Sequence, residues 1–183
     1  MSLILHPNGK IEGINNANFN DSIHNGHVIQ VKQAVNSAQS SEAVSDSTFE
    51  DISGLSVSIT PTTNTNKILV SYRVAMASTK GAYTTYLRIV RDSTAIGIGD
   101  ATGSRPRVTT SHATGPTQWN DYEIIHHANT FLDSPATTSA TTYKLQWTDS
   151  YSQTFYLNRS IGNVDGKHYA TQISHITVME VVA

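Results

Sequence analysis

Residues 55–76 read LSVSITPTTNTNKILVSYRVAM, two runs of alternating apolar and polar residues joined by a segment that contains Pro, Thr and Asn. Successive side chains of a β-strand point to opposite faces, so the alternation places the apolar residues of each run on one face. Pro and Asn between two such runs are typical of a turn. The stretch therefore predicts two half-buried strands, with Leu55, Val57 and Ile59 inward in the first and Ile68, Val70, Tyr72, Val74 and Met76 inward in the second.

The same alternation continues along the chain. It predicts further strands within residues 26–35, 82–92, 94–103, 119–133, 141–149, 153–160 and 171–182, and polar loops at 36–47 and 104–116. Residues 119–133 are long enough for a helix, but their aromatic and β-branched residues favour a strand. About nine or ten short strands separated by turns predict an all-β fold, an antiparallel β-sandwich of jelly-roll type. An immunoglobulin-like sandwich is the alternative, although that fold usually has about 100 residues.

The composition limits the classes of function. Charged residues make up 14% of the chain, well below the roughly 25% of an average globular protein, and 57 of the 183 residues are Ser, Thr or Asn. A net charge of −2 offers no basic surface to neutralise phosphates, so we expect no nucleic-acid partner. The chain has no Cys, which excludes disulfides and thiolate metal sites.

The apolar segments are short. The longest, such as KILV at 67–70 and VMEVV at 178–182, fall far below the roughly 20 residues that a membrane-spanning helix needs. The first ten residues, MSLILHPNGK, lack the charged start and long apolar core of a secretory signal. We therefore expect neither membrane insertion nor classical secretion.

Residues 1–25 differ from the rest, since they contain six Asn and two Gly among scattered apolar residues. Such a segment hardly buries itself, because isolated apolar residues do not offset the entropy lost on ordering the backbone. The pattern predicts two parts, an extended N-terminal attachment arm at 1–25 and a β-sandwich at 26–183. The arm would lie on a neighbouring subunit or another protein, or, alternatively, along its own domain. Its candidate contact residues are Leu3, Ile4, Leu5, Ile11 and Ile14.

The final predicted strand carries apolar residues on both faces. Ile173, Met179 and Val181 share one face. A strand that is apolar on both sides needs cover on both sides, and in a sandwich only one face meets the core. The other face would meet a copy of the same chain, so we expect an oligomer. The interface residues would be Ile176, Val178 and Val182.

No reactive constellation stands out. His126 and His127 are adjacent, so in a strand they point to opposite faces and do not share one metal ion. His24 and His27 lie near Asp21, and a metal site shared with a partner chain is one reading of them, but ordinary polar roles are favoured. The GIGDATG segment at 97–103 departs from the dinucleotide-binding spacing and is typical of a hairpin turn. We expect no catalytic residue, cofactor or metal site, and thus no enzyme.

Aromatic residues at strand ends or in loops are candidates for stacking against sugars. Trp147 alternates with Tyr143 and Leu145 and is predicted to lie in the core. The surface candidates for glycan contact are Tyr83, Tyr86, Trp119 and Tyr151.

Three segments resemble the jelly-roll virion proteins of tailed bacteriophages, especially those of cyanophages. They are TFEDISGLSVSITPTTNTNKILVSYRVAM at 48–76, FLDSPATTSATTYKLQW at 131–147 and ISHITVMEVVA at 173–183. The resemblance implies a compact sandwich that assembles into a homotrimer, preceded by a segment that attaches it to the particle. Proteins of this kind serve as tail-fibre tips, head fibres and capsid decoration proteins.

Among those tasks, the residues favour capsid decoration. The heptads or repeats of a fibre shaft are absent from the sequence, whereas a short arm and an uncharged domain suit a cement protein on the major capsid protein or another virion protein. Such a protein would be made in the host cytoplasm and lie on the virion surface. The alternative is a tail- or head-fibre receptor-binding tip that recognises a host-surface glycan.

Overall fold

The computed structural model describes residues 4–5, 11–12, 25–79, 84–113 and 121–183. Within these ranges every regular element is a β-strand, and two antiparallel sheets pack face to face as a sandwich. In the same ranges there is no helix long and apolar enough to cross a membrane. The all-β prediction is thus confirmed.

The described residues form thirteen strands. In chain order they are β1 (Ile4–Leu5), β2 (Ile11–Glu12), β3 (Val28–Asn36), β4 (Ser40–Val44), β5 (Glu50–Ile59), β6 (Lys67–Ser78), β7 (Thr84–Arg91), β8 (Thr94–Ile96), β9 (Thr110–Ala113), β10 (Ile125–Asp133), β11 (Thr141–Asp149), β12 (Gln153–Leu157) and β13 (Ser174–Val181).

The first sheet is built around β6, the longest strand. β10 pairs with one edge of β6, while β13 and β12 follow one another along the opposite edge. β3 pairs with β13 and β4 with β12, so β3 and β4 together form the outer border of this sheet.

The second sheet has the order β5, β11, β7 and then β8 and β9. One lateral edge of the sandwich is tied together by side chains of β3, because Asn36 Nδ2 donates to Ser53 O at 2.8 Å and Gln30 Nε2 donates to Thr60 O at 3.2 Å. The two sheets therefore enclose a single core.

The core consists of the inward faces of both sheets, and the alternation predicted for β6 is confirmed. Its five predicted inward residues are all buried. Tyr143, Leu145 and Trp147 of β11 are also buried, as predicted, and the indole of Trp147 packs edge-on against Phe155 at 5.1 Å. Leu55 and Ile59 are buried and Val57 packs against the core cluster.

A bulge in β5 shows where simple alternation fails. The register with β11 shifts between Lys144 and Gln146, and on β5 both Ile52 and Leu55 face the core although they are three residues apart. Gly54, between them, has φ +76°, and a Cβ there would overlap the side chain of Asn36. Glycine is the residue that adopts this backbone conformation without steric cost.

Two predicted loops contain strands. β4 lies within 36–47 and β9 within 104–116. Both are short and mostly polar, so neither shows the apolar alternation that identifies a strand in sequence. Their order comes from pairing with β12 and β7, which supply the backbone partners.

At the N-terminus, Ile4 and Leu5 pair with Glu12 and Ile11 in a two-stranded antiparallel ladder. Leu3 and Ile14, two further candidate contact residues of the arm, lie outside the described residues. Gly26 N donates to Val182 O at 2.7 Å, so the chain joins the first sheet beside the end of β13. The division at residue 25 stays a prediction.

One prediction about β13 is wrong. The sequence pattern assigns Ile176 and Val178 to a subunit interface, but both are fully buried in the core of their own sandwich. The alternation groups the residues of each face correctly, but the predicted interface face is the one that meets the core. The face that points outward is the one that carries Met179. Val182 lies beyond the end of the strand and is half-buried, and its interface role stays a prediction.

Candidate functional site

The outward face of the first sheet carries a row of apolar side chains in register across four neighbouring strands. Val31 of β3 pairs with Met179, Met179 pairs with Leu69, and Leu69 pairs with Leu132 of β10. Residues directly opposite on antiparallel strands have Cβ atoms about 5 Å apart. These four residues therefore form a continuous apolar row, which we call the outer stripe.

The outer stripe is open to solvent at both ends and half-covered in the middle. Val31 is 55% exposed and Leu132 is 51% exposed, while Leu69 and Met179 are half-buried between them. Val28 and Ile29, two more exposed apolar residues of β3, adjoin it, whereas the exposed Val35 lies four residues from Val31, opposite His175. Scattered exposed apolar residues are ordinary, but a contiguous set on one sheet face indicates an interaction surface.

Polar rows flank the outer stripe on one side. The adjacent row is Gln33, Thr177, Ser71 and Thr130, in which Gln33 Nε2 donates to Thr177 Oγ1 at 2.8 Å. In the next row Arg73 Nη2 donates to Gln172 Oε1 at 2.7 Å and to His126 Nε2 at 2.9 Å. No carboxylate occupies an outward position of β3, β13, β6 or β10 in this region of the described chain.

The orientation of β13 is fixed by Glu180, the residue after Met179. Its carboxylate is fully buried and accepts hydrogen bonds from Thr62 N at 2.6 Å, Thr62 Oγ1 at 2.7 Å, Asn66 Nδ2 at 2.7 Å and Gln30 Nε2 at 3.2 Å. Burial acts to raise the pKa of Glu180, but these donors outweigh it and the pKa lies below its usual value. Because Glu180 is held inward, Met179 must face outward.

The adjacent histidines point to opposite faces, as predicted. His126 lies on the outer face beside Arg73, whereas His127 is buried between the sheets. The ring of His127 contacts two hydroxyls, with Nε2 3.0 Å from Thr85 Oγ1 and Nδ1 3.1 Å from Thr110 Oγ1. Burial, with a smaller contribution from His112, lowers the pKa of His127 to about 4. This ring is a neutral hydrogen-bonding group of the core.

Other buried ionisable groups tie strands together. Asp133 accepts hydrogen bonds from Arg91 Nη1 at 2.8 and 2.9 Å and from Tyr143 Oη at 2.7 Å. Asp149 accepts one from Tyr151 N at 2.9 Å, and burial raises its pKa to about 6. In the described ranges no group of three or more His, Asp or Glu is placed to hold a metal ion.

The predicted glycan contacts are not brought together as one site in the described structure. Tyr86 is half-buried in the middle of β7, and Tyr151 is exposed in the turn after β11. Tyr83 and Trp119 lie outside the described residues. An aromatic cluster does form elsewhere, where the ring centroid of Tyr122 lies 4.9 Å from that of Tyr169 and 5.3 Å from that of His168.

The sequence does not identify Val31, Leu69 and Leu132 as members of the outer stripe. The alternation in β3 and β6 places Val31 and Leu69 on definite faces, but it does not reveal which strands are neighbours. Only the register between β3, β13, β6 and β10 assembles the row.

Comparison with known proteins gives structural neighbours only. No protein-family model and no curated protein matches the chain. One solved structure that matches is the VP2 subviral particle of infectious bursal disease virus, with a TM-score of 0.39, 12% identity, and coverage of 84% of this chain and 41% of that chain. Another is a structure of infectious bursal disease virus strain Gx, with a TM-score of 0.39, 12% identity, and coverage of 84% of this chain and 37% of that chain.

The chain thus spans about two fifths of the length of the chains that it matches. Both neighbours come from a virus, and at this level of superposition they identify neither a family nor an activity for this protein.

Proposed function

We propose that this chain is a non-enzymatic structural protein of a virion, and specifically a capsid decoration protein. The observation that carries the proposal is the outer stripe, an exposed apolar row on a polar, weakly charged sandwich. In the described chain the buried His127, Asp133, Asp149 and Glu180 are engaged in hydrogen bonds within the fold. The resemblance of three segments to jelly-roll virion proteins supports the assignment to a virion.

The strand order supports the jelly-roll interpretation. If β3 with β4, β8 with β9, and β12 with β13 each count as one interrupted strand, the sandwich has eight strands. Their order is 1-8-3-6 in the first sheet and 2-7-4-5 in the second. That order is the one produced by the two Greek keys of a jelly roll.

The occupant of the outer stripe is proposed to be another copy of this chain, in a homotrimer. The surface is apolar at its centre, and its nearby charges, Lys67 and Arg73, are already bonded to Ser134 and Gln172. Interfaces between identical subunits are more apolar than transient ones and are depleted of charge at the core. The N-terminal segment joins the sheet beside this face, at Gly26, and is proposed to extend from the trimer to the shell.

A trimer that binds only the assembled shell would stabilise it by mass action, since it favours the assembled over the dissociated state. The expected partner is the major capsid protein or another virion protein. The experiment compares purified wild-type protein with a Val31→Asp, Leu132→Asp double variant by light scattering after size exclusion. We expect a mass of three times the 19.9 kDa protomer for the wild type and one protomer for the variant.

Ser56→Asp provides the matched control, because Ser56 is an exposed strand residue of the other sheet. It should remain a trimer. A monomeric wild type at micromolar concentration would contradict the proposal. Deletion of residues 1–25 should abolish attachment to shells and leave the trimer intact, whereas unchanged attachment excludes the arm as the anchor.

A host-adsorption assay distinguishes a decoration protein from the alternative, a receptor-binding fibre tip. Purified protein of that kind competes with phage for host cells, and a decoration protein does not. Immunogold labelling of virions gives an independent answer, since the label would lie over the shell for a decoration protein and at a fibre end for a tip.

A further inference from the structure

The connection between β12 and β13, with Gln39, lines a half-open cavity of about 290 Å³ that shares no residue with the outer stripe. Polar side chains and one tyrosine line most of it. They include Gln39, Arg159, Asn163, Asp165, Tyr169 and Thr171. We propose that this loop cavity is a binding site for a neutral saccharide, a function beyond the proposed structural role.

The base of the loop cavity is held firmly. Asn158, with φ 61°, is fully buried, and its Nδ2 donates to Asn36 O and Ala38 O at 2.9 Å each. Ser174 Oγ donates to Asn158 Oδ1 at 2.6 Å. Since Gln39 follows Ala38, these bonds fix one wall of the cavity relative to the other. A site held in this way loses little entropy when a ligand binds.

The aromatic wall is set by a glycine. Gly162 N donates to Asp121 O at 3.1 Å, and the ring of Tyr169 packs so closely on Gly162 that a Cβ would overlap it. The ring of Tyr122 packs edge-on against Tyr169, with 4.9 Å between the ring centroids, and the His168 ring centroid lies 5.3 Å from that of Tyr122. Tyrosine combines an apolar ring face with a polar tip, a combination that suits the carbon face and hydroxyls of a pyranose.

The remaining lining offers both hydrogen-bond donors and hydrogen-bond acceptors. Gln39 and Asn163 each have an amide donor and acceptor, Asp165 accepts, and Thr171 does both. A ligand with many hydroxyls, each a donor and an acceptor, matches this set. A volume of about 290 Å³ lies near the lower end of the roughly 300–1,000 Å³ of small-molecule sites and suits a ligand of one or two sugar rings.

An anionic ligand fits less well. Arg159 Nη1 already donates to the carbonyl oxygens of Ser160 and Ile161 at 3.2 Å each, and its guanidinium lies 4.3 Å from the Tyr156 ring centroid. Asp165 adds negative charge to the same lining. An apolar ligand would leave the amide and carboxylate groups without partners, which is unfavourable.

The test uses the intact protein and saturation-transfer NMR. The probes are free neutral hexoses, 6-deoxyhexoses, N-acetylhexosamines and their disaccharides, with inorganic phosphate as the anionic comparison. We expect at least one saccharide to bind with a Kd of about 1 mM or below. Asn163→Ala and Asp165→Ala, both at exposed positions, should each weaken binding at least tenfold without changing the melting temperature.

Tyr151→Ala is the matched control, because Tyr151 is an exposed aromatic residue outside the lining of the loop cavity. It should bind as the wild type does. The proposal is overturned if no saccharide in the panel binds, if phosphate binds in preference, or if Tyr151→Ala weakens binding while the two loop variants do not. Each of these results leaves the trimer and shell experiments unaffected.

Discussion

His127 is the residue at which burial and protonation conflict most directly. Its two ring nitrogens lie between the hydroxyls of Thr85 and Thr110, and Thr110 Oγ1 also lies 3.0 Å from Tyr72 Oη. A charged imidazolium there would lose its hydration without gaining an anionic partner, because the contacts are hydroxyls. The ring must therefore be neutral in the folded state.

This predicts a pH dependence of stability. The pKa of His127 is about 4 in the fold and about 6.5 in an unfolded chain. Between those values only the unfolded state binds the proton, so the free energy of unfolding should fall as the pH decreases from about 6.5 to 4. The loss at pH 4 is about 3 kcal/mol for this group. Urea titrations of wild-type protein and His127→Gln at several pH values measure it.

The informative quantity is the difference in unfolding free energy between wild-type protein and His127→Gln at each pH. Asp149 acts in the opposite direction, because its pKa is raised to about 6 and the folded state takes up the proton first as the pH falls. This effect is common to both proteins and cancels in the comparison. Parallel curves for wild type and His127→Gln across the window would contradict the assignment of a neutral, buried ring.

Asn158 is the second residue with a large predicted effect. It joins the border between β3 and β4 to β13 through three hydrogen bonds and is fully buried. Asn158→Ala leaves two carbonyls and the Ser174 hydroxyl without this partner, so we expect a loss of about 3 kcal/mol in the free energy of unfolding, measured by urea denaturation. Asn163→Ala is the matched control. It removes the same side chain at an exposed position of the same loop and should change stability by less than about 0.5 kcal/mol.

At the level of elements, we expect β13 to separate residues that stabilise the fold from residues that support the proposed association. Val178 is fully buried and Met179, the next residue, belongs to the outer stripe. Val178→Ala should lower the free energy of unfolding by about 2 kcal/mol, because it removes buried carbon atoms and leaves a cavity. Met179→Ser should weaken association instead. Chemical denaturation at low protein concentration, paired with light scattering, distinguishes the two effects.

Equal losses of unfolding free energy in the two variants at low concentration, with unchanged association, would contradict this division of β13. The comparison is sharp because the two residues are adjacent in sequence and occupy opposite faces of the strand.

The sequence predicts strands well where apolar and polar residues alternate over a long stretch. β6, β11 and the predicted inward residues of β5, Leu55, Val57 and Ile59, are recovered because their packing follows from local alternation. Ile52 is missed because the bulge in β5 interrupts that alternation. β4 and β9 are missed, since their order derives from backbone pairing with distant strands. The buried Glu180 is missed for a related reason, because its donors come from the turn between β5 and β6 and from Gln30.

The candidate site likewise has one feature that local alternation predicts and others that depend on contacts between distant strands. The sequence indicates that β13 has two apolar faces, but it does not reveal which face meets the core. That depends on Glu180, whose inward position fixes Met179 outward. The stripe itself needs the register of four strands that are distant in sequence, and no local pattern contains that information.

At the scale of the whole molecule, the two sheets differ in what they present to solvent. The outer face of the second sheet carries long polar side chains that bond to one another, such as Arg88 with Gln146 at 2.7 and 2.9 Å and Lys144 with Asp51 at 2.7 Å. The outer face of the first sheet carries the stripe. On this asymmetry we propose that the first sheet faces other subunits and the second faces solvent.

Association through the outer stripe predicts that thermal stability depends on protein concentration. Subunits that bind only in the folded state stabilise it by mass action, so the melting temperature should rise as the protein is concentrated from about 1 to 100 µM. The rise should be insensitive to salt, because the stripe contains no ion pair and apolar burial is not screened by added ions. The Val31→Asp, Leu132→Asp variant should melt at the same temperature throughout this range. Differential scanning calorimetry at several concentrations and two ionic strengths measures both proteins, and a wild type whose melting temperature is independent of concentration would exclude a folding-linked trimer on this face.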